Sequence, residues 1–190
     1  CWDPAKGKGS IIIGGAEQCL KKVVQDTPWK PPKRGWVKLN TDGSFAKSDG
    51  AGAGMILRDS AGAIIFSSCR TLFSCRDALE AELCACMEGL SFAIQRSDLP
   101  IEVEMDSSNV VSMISCEEMD RAVYAPLEGE IKYVLSLRKF CITHVPHSQN
   151  KASDKLASFA RIEVRTITWV GSGPEEVLRI VHDDCKNLII

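Results

Sequence analysis

Four acidic side chains stand where an α/β chain would gather them. Asp42 ends one stretch of alternating apolar and polar residues, and Asp106 ends another. Glu82 lies inside an amphipathic helical stretch, and Asp154 opens a later one. Ligand sites in open α/β sheets collect at the ends of strands. If the strands ending in Asp42 and Asp106 are neighbours, their carboxylates finish side by side, and the helix carrying Glu82 packs over them. Carboxylates that close repel, so the cluster is costly unless cations bind. Oxygen-only ligands favour hard ions, Mg²⁺ or Mn²⁺ rather than Zn²⁺. Two such ions about 4 Å apart can activate a water and stabilise the leaving oxygen of a phosphodiester. A helix cap or a solvated surface group would account for any one of these acids taken singly. The weight lies in the ordered set.

The elements that must position them follow from periodicity. In Trp36 to Asp42, Val37, Leu39 and Thr41 alternate with Lys38, Asn40 and Asp42, which reads as a strand. Asp42-Gly43-Ser44 breaks it. A second strand runs from about Ala51 to Arg58. After the turn signal Asp59-Ser60-Ala61-Gly62 comes a third, Ala63 to Arg70. Short connections imply an antiparallel meander. Ala78 to Ile94 is the clearest helix, with Leu79, Leu83, Met87, Leu90 and Ile94 in one apolar stripe. Beside it Ala85, Cys86, Gly89 and Ala93 form a stripe of small side chains able to approach a sheet closely, and Glu82 lies on that side. Pro100 to Asp106 predicts a fourth strand, Ser107 to Ile114 and Ala125 to Lys139 two helices, and Phe140 to Val145 a fifth strand. Asn150 is placed to cap a last helix reaching about Ile162. This order gives a mixed five-stranded sheet, three antiparallel strands and then parallel ones, with helices on both faces.

The domain expected is therefore 36–162. Residues 1–35, rich in Gly, Lys and Pro, read as a linker or a fragment of an upstream region, with a weak helical patch from Glu17 to Gln25 and order beginning at Trp36. Residues 163–190 read as a C-terminal extension: Thr166 to Val170 extended, then a turn at Gly171 to Pro174, then a helical stretch Glu175 to His182. Ile11 to Ile13 is too short for a signal peptide core, and no apolar run approaches the ~20 residues that span a bilayer. The expected setting is intracellular, nucleus and cytoplasm not being distinguished, and no membrane. The chain begins with Cys1, which is expected of a piece of a longer product.

Hydrophobic residues at 45% and charged ones at 25% exclude a disordered tail. Nine cysteines without a paired CxxC motif read as free thiols packed as small hydrophobes. Residues 1–35 hold seven Lys/Arg and three Asp/Glu, a net of +4, so the remainder of a chain of net −2 carries −6. Four carboxylates devoted to metal would account for four of those charges.

The segments around the four acids resemble one family. Leu39-Asn40-Thr41-Asp42-Gly43-Ser44 is similar to the opening strand of type-1 ribonuclease H, and Ala81-Glu82-Leu83-Cys84-Ala85 to its catalytic helix. Glu104-Met105-Asp106-Ser107-Ser108 resembles its third acidic motif. Asn150-Lys151-Ala152-Ser153-Asp154-Lys155-Leu156-Ala157 resembles its last, an Asn-x-x-x-Asp-x-Leu-Ala helix start. The Lys-Leu-Asn-Thr-Asp-Gly-Ser wording and the strand-turn from Gly54 to Gly62 look most like the plant retroelement-derived branch. The resemblance covers roughly 36–162.

It implies a ribonuclease H-like fold and an endonuclease that cuts the RNA strand of RNA–DNA hybrids, leaving a 3′-hydroxyl and a 5′-phosphate. Asp42, Glu82, Asp106 and Asp154 would hold two Mg²⁺ or Mn²⁺ ions, with Glu82 also positioning the attacking water. Gly43, Ser44, Ser107 and Asn150 would meet the substrate. RNA would be told from DNA by minor-groove contacts to 2′-hydroxyls. A histidine before the last acid assists product release in many members. His147 is the choice here, because His144 belongs to the strand; His182 has no assigned role. The partner implied is nucleic acid, bound by a monomeric domain or by one module of a longer polyprotein-like chain.

The match departs at the substrate grip. Bacterial members place two asparagines just before the catalytic Glu, where this chain has Ala78 and Leu79. Their basic protruding helix is also missing: Glu117 to Lys139 carries five acids and four bases. Weak, salt-sensitive binding by an isolated domain is expected. These losses keep open a second reading, a catalytically silent, domesticated retroelement descendant that binds nucleic acid or protein.

Overall fold

A computed structural model describes residues 28–115 and 123–186. The helical patch expected at Glu17 to Gln25 and the apolar run Ile11 to Ile13 lie outside them. Three strands, β1 (Val37–Ala46), β2 (Gly50–Arg58) and β3 (Ile64–Leu72), are followed by α1 (Ala78–Arg96) and β4 (Ile101–Met105). Then come α2 (Ser108–Ser115), α3 (Ala125–Ser136), β5 (Phe140–His144), a 3-10 turn (His147–Gln149), α4 (Lys151–Glu163), β6 (Ile167–Val170) and α5 (Glu175–Lys186).

The sheet order is β5-β4-β1-β2-β3-β6. β1, β2 and β3 pair antiparallel, and β4 and β5 run parallel to β1. Six strands thus stand where five were expected. The extended stretch in the C-terminal region became β6 because the outer edge of β3 was open to it, with Phe66 opposite Val170 and Cys69 opposite Ile167.

α1, α2 and α3 cover one face of the sheet around Leu39, Met55, Leu83, Leu90, Val103 and Ile131. α4 and α5 cover the other around Ile56, Cys69, Leu156, Ala160, Val177 and Val181. Val177 and Val181 are one helical turn apart, so α5 buries one stripe and the extension is part of the packed domain. Among the described residues no helix is long and apolar enough to cross a membrane.

One expectation gives way. Order does not start at Trp36: Trp29 is 2% exposed and its indole Nε1 donates to Asn40 Oδ1 at 3.0 Å. β1 buries its polar face like its apolar one. As a central strand between β4 and β2 it is covered on both faces, so Lys38, Asn40 and Asp42 are buried beside Val37 and Leu39. Buried polar groups need partners. Lys38 Nζ pairs with Glu104 and donates to Lys30 O at 2.8 Å. Arg58, 1% exposed, pairs with Asp184 of α5 at 2.7 Å.

Candidate active site

The parallel pairing of β1 with β4 brings Asn40 opposite Glu104. Two residues further along each strand stand Asp42 and Asp106, so the two carboxylates emerge side by side. α1 crosses above them. Asp77 caps that helix by accepting from Glu80 N at 2.9 Å, which sets where its first turn begins and carries Glu82 onto the sheet.

The approach is close enough to dictate Gly43. A Cβ there would lie 2.3 Å from Glu82 N and 2.4 Å from the Ala81 carbonyl carbon. Further along α1, Gly89 sits against Leu39 and Thr41. The stripe of small residues is the face on the sheet, whereas Leu79, Met87 and Ile94 are only partly buried.

One carboxylate oxygen each from Asp42, Glu82 and Asp106 lies within 4.8 Å of the others. Asp42 is 6% exposed. Burial, then the charges of Glu82, Asp106 and Asp154, push its carboxyl up from 3.8 to about 9. Burial and the charge of Asp106 push Glu82 up to about 8, against a hydrogen bond from the Gly43 backbone that lowers it. Glu82 Oε2 is buried with no hydrogen-bond partner. Three convergent carboxyls, those of Asp42 and Glu82 with elevated pKa values, and one orphaned oxygen are what a hard divalent cation would satisfy. The residues present therefore fit Mg²⁺ or Mn²⁺.

Asp154, in the first turn of α4, is partly exposed at the rim of the cluster. His147 bridges to it: Nδ1 lies 3.0 Å from Asp106 Oδ2 and Nε2 4.0 Å from Asp154 Oδ2. His144 reaches the same region through its Nε2, 3.1 Å from Asp106 O, as a strand-end side chain does.

Beside Glu82 and Asp106 a cleft of about 330 Å³ opens, lined also by Ala78, Leu79, Ser107 and Asn109. Ser107 therefore stands at the cleft, with its Oγ accepting from Val110 N at 3.4 Å. Ser44 is taken up by Arg161, whose Nε donates to its Oγ at 2.9 Å.

Asn150 departs furthest from its expected parts. It precedes α4, but its side chain makes no capping bond. At 1% exposure it is also closed off from any substrate. Its Nδ2 donates to Thr41 O at 3.0 Å and lies 3.4 Å from both Asp42 Oδ1 and Asp106 Oδ1. A cap would need Oδ1 as acceptor, but that oxygen accepts from Ser153 Oγ at 2.7 Å and lies 3.4 Å from Asn40 Nδ2. Ser153 Oγ also lies 2.9 Å from Asn150 O. Asn40 is thus the residue near the site that the sequence reading missed. The one available signal was a polar Asn in the middle of an apolar-flanked strand.

A family model described as reverse transcriptase-like matches residues 40–160. A protein of Arabidopsis thaliana, named as a candidate ribonuclease H protein, is 30% identical over 157 residues. That alignment takes in 80% of this chain and 24% of the relative, so the chain spans about a quarter of that protein's length. Among solved structures, the ribonuclease H1 of the archaeon Halobacterium salinarum is similar with a TM-score of 0.62 and 25% identity, over 66% of this chain and 97% of that one. The LC11 ribonuclease H1, solved in complex with an RNA/DNA hybrid, shares the fold with a TM-score of 0.60 at 22% identity, over 67% and 98%.

Proposed function

Because the chain belongs to the reverse transcriptase-like family and carries its ribonuclease H-like domain, we propose that it is a divalent-metal-dependent endonuclease hydrolysing the RNA strand of RNA–DNA hybrids. The observation that carries this reading is the convergence of Asp42, Glu82 and Asp106 from two strand ends and a helix, with all three ligand oxygens within 4.8 Å.

In this reading Asp42, Glu82, Asp106 and Asp154 hold two Mg²⁺ or Mn²⁺ ions. The chemistry such ions supply is Lewis acidity at phosphoryl oxygens and neutralisation of the clustered charge. The chain's own residues set the geometry. Asn150 orients the Asp42 and Asp106 carboxylates from behind. Glu82, whose Oε2 has no hydrogen-bond partner, orients the attacking water. That water forms its bond to phosphorus as the P–O3′ bond breaks, and one of its protons ends on the departing 3′-oxygen. The products are a 3′-hydroxyl and a 5′-phosphate. His147, exposed between Asp106 and Asp154, is suited to relieving the product phosphate from the acids. Ser107 at the cleft, with the backbone of Gly43, meets the sugar–phosphate chain. RNA is selected through 2′-hydroxyl contacts across the minor groove.

The second reading, a silent descendant that only binds, is favoured by Ala78 and Leu79 lining the cleft. It is favoured too by α3, which carries Glu128, Glu130 and Lys132 and is therefore no cationic grip. A labelled hybrid incubated with Mg²⁺ or Mn²⁺, alongside Asp42→Asn, separates the two. Metal-dependent RNA cleavage lost in the variant is expected. Hybrid binding without cutting would support the silent domain, and equal cleavage by the variant would remove the enzyme.

A further inference from the structure

A continuous polar chain runs behind the acids, and its far end lies outside the stretch that matches the family. Trp29 Nε1 donates to Asn40 Oδ1 at 3.0 Å, and Arg58 Nη2 reaches the same oxygen at 3.3 Å. With its oxygen taken by two donors, Asn40 must turn Nδ2 the other way, where it lies 3.0 Å from Glu104 Oε2 and 3.4 Å from Asn150 Oδ1. Asn150 Oδ1 also accepts from Ser153 Oγ at 2.7 Å. Its own Nδ2 is thereby left facing Thr41 O, Asp42 and Asp106.

A carboxamide has a donor end and an acceptor end, so each one passes on the sense it receives. Were Asn40 reversed, its oxygen would face the Glu104 carboxylate and the Asn150 oxygen. Were Asn150 reversed, its oxygen would face the Thr41 carbonyl and the Asp106 carboxylate. A buried cation at one end of the chain and buried carboxylates at the other both oppose these flips.

The cation is itself fixed from both termini. Arg58 stacks on Trp29 with its guanidinium carbon 3.6 Å from the ring centroid, and Nη1 is paired with Asp184 at 2.7 Å. A planar guanidinium held on one face by an indole and at one edge by a carboxylate presents its remaining N–H groups in a set direction.

We propose that Trp29 and Arg58, locked by Asp184 of α5, are positioning residues that act through Asn40 and Asn150 to aim donors at Asp42 and Asp106. The segments flanking the family match thus help to build the metal site. This deepens the nuclease reading and rests on it for its catalytic consequence, but the orientation of Asn150 can be read without catalysis.

The test uses the full chain and three variants: Trp29→Phe, which removes the indole N–H and keeps a smaller aromatic ring; Arg58→Lys; and, as a control on the exposed side of α5, Arg179→Gln. Each is compared only where circular dichroism shows it fully folded. In metal-free protein, the side-chain amide signals of Asn150 in ¹⁵N NMR should shift in Trp29→Phe and Arg58→Lys and stay in place in Arg179→Gln. Titrated with Mn²⁺ alone, the first two should need several-fold more Mn²⁺ for half-saturation. Their kcat on hybrid should fall with KM unchanged, because the grip on nucleic acid is untouched. A purely structural role would lower the folded fraction and leave these quantities alone. Unmoved Asn150 signals in both variants, or Mn²⁺ half-saturation within twofold of wild type, would overturn the inference. Wild type that binds Mn²⁺ but cuts no hybrid would sink the nuclease reading and leave the Mn²⁺ comparison standing. Wild type that binds no Mn²⁺ would sink the metal site, with the NMR comparison still deciding how Asn150 is aimed.

Discussion

Replacing Asp42 with Asn should stabilise the metal-free protein at neutral pH while destroying its response to Mg²⁺. Burial and its acidic neighbours push the Asp42 carboxyl from 3.8 up to about 9, so at pH 7 the folded protein keeps a proton that the unfolded chain has released. The folded value lies above the unfolded one, which reverses the usual carboxylate case. Stability is therefore greatest below about pH 4 and falls as pH rises toward 9. Over the roughly three pH units between 3.8 and neutrality, at about 1.4 kcal/mol each, the cost reaches about 4 kcal/mol. Relaxation and an effective dielectric well above that of dry protein reduce this to about 2 kcal/mol. An amide of the same shape never ionises and escapes the cost. For a chain of this size the gain is about 4–8 °C in Tm. Scanning calorimetry in EDTA at pH 7 would measure it. At pH 5, close to the unfolded carboxyl value, the gap should shrink by more than half. Adding Mg²⁺ should raise the Tm of wild type and leave Asp42→Asn nearly unmoved, because an ion stabilises only the state that binds it. A variant less stable than wild type in EDTA at pH 7, or a gap that does not shrink at pH 5, would refute the electrostatic account of the cluster.

Gly43→Ala would place a Cβ 2.3 Å from the α1 backbone, which should cost about 1–3 kcal/mol in urea unfolding and displace Glu82 enough to abolish cleavage. His147→Ala removes a 3.0 Å contact to Asp106 and should lower steady-state turnover by about tenfold, the equivalent of one charge-assisted hydrogen bond, while single-turnover cleavage is retained. Raising NaCl from about 50 to 200 mM should weaken hybrid binding by about tenfold if as few as two phosphates are contacted; a flat response would exclude backbone recognition.

The acidic cluster was legible in the sequence because it depends on residue type and local period. Asp42 and Asp106 end alternating runs, and Glu82 sits on the small-residue side of a helix whose Gly89 does meet the sheet. Those features follow from neighbours a few residues away, and so did the mixed sheet they imply. Asp154 at the start of α4 and His147 before it were readable for the same reason, as both lie on one short segment.

What the linear order left open was decided by contacts between distant segments. Nothing near Lys38 or Asn40 says that the polar face of β1 is buried. That depends on β4 and β2 flanking the strand and on Trp29 covering it. Asn150 looked like a helix cap because caps are local, but its oxygen is met by Ser153 and by Asn40 of a distant strand, and its Nδ2 faces Thr41 O and the acids. The raised pKa values of Asp42 and Glu82 arise only when three acids share one buried place. Arg58 and Asp184 stand 126 residues apart and meet at 2.7 Å. Local pattern can nominate which side chains do chemistry, but their partners, burial and charge state are properties of the assembled sheet, where segments remote in the chain share one low-dielectric space.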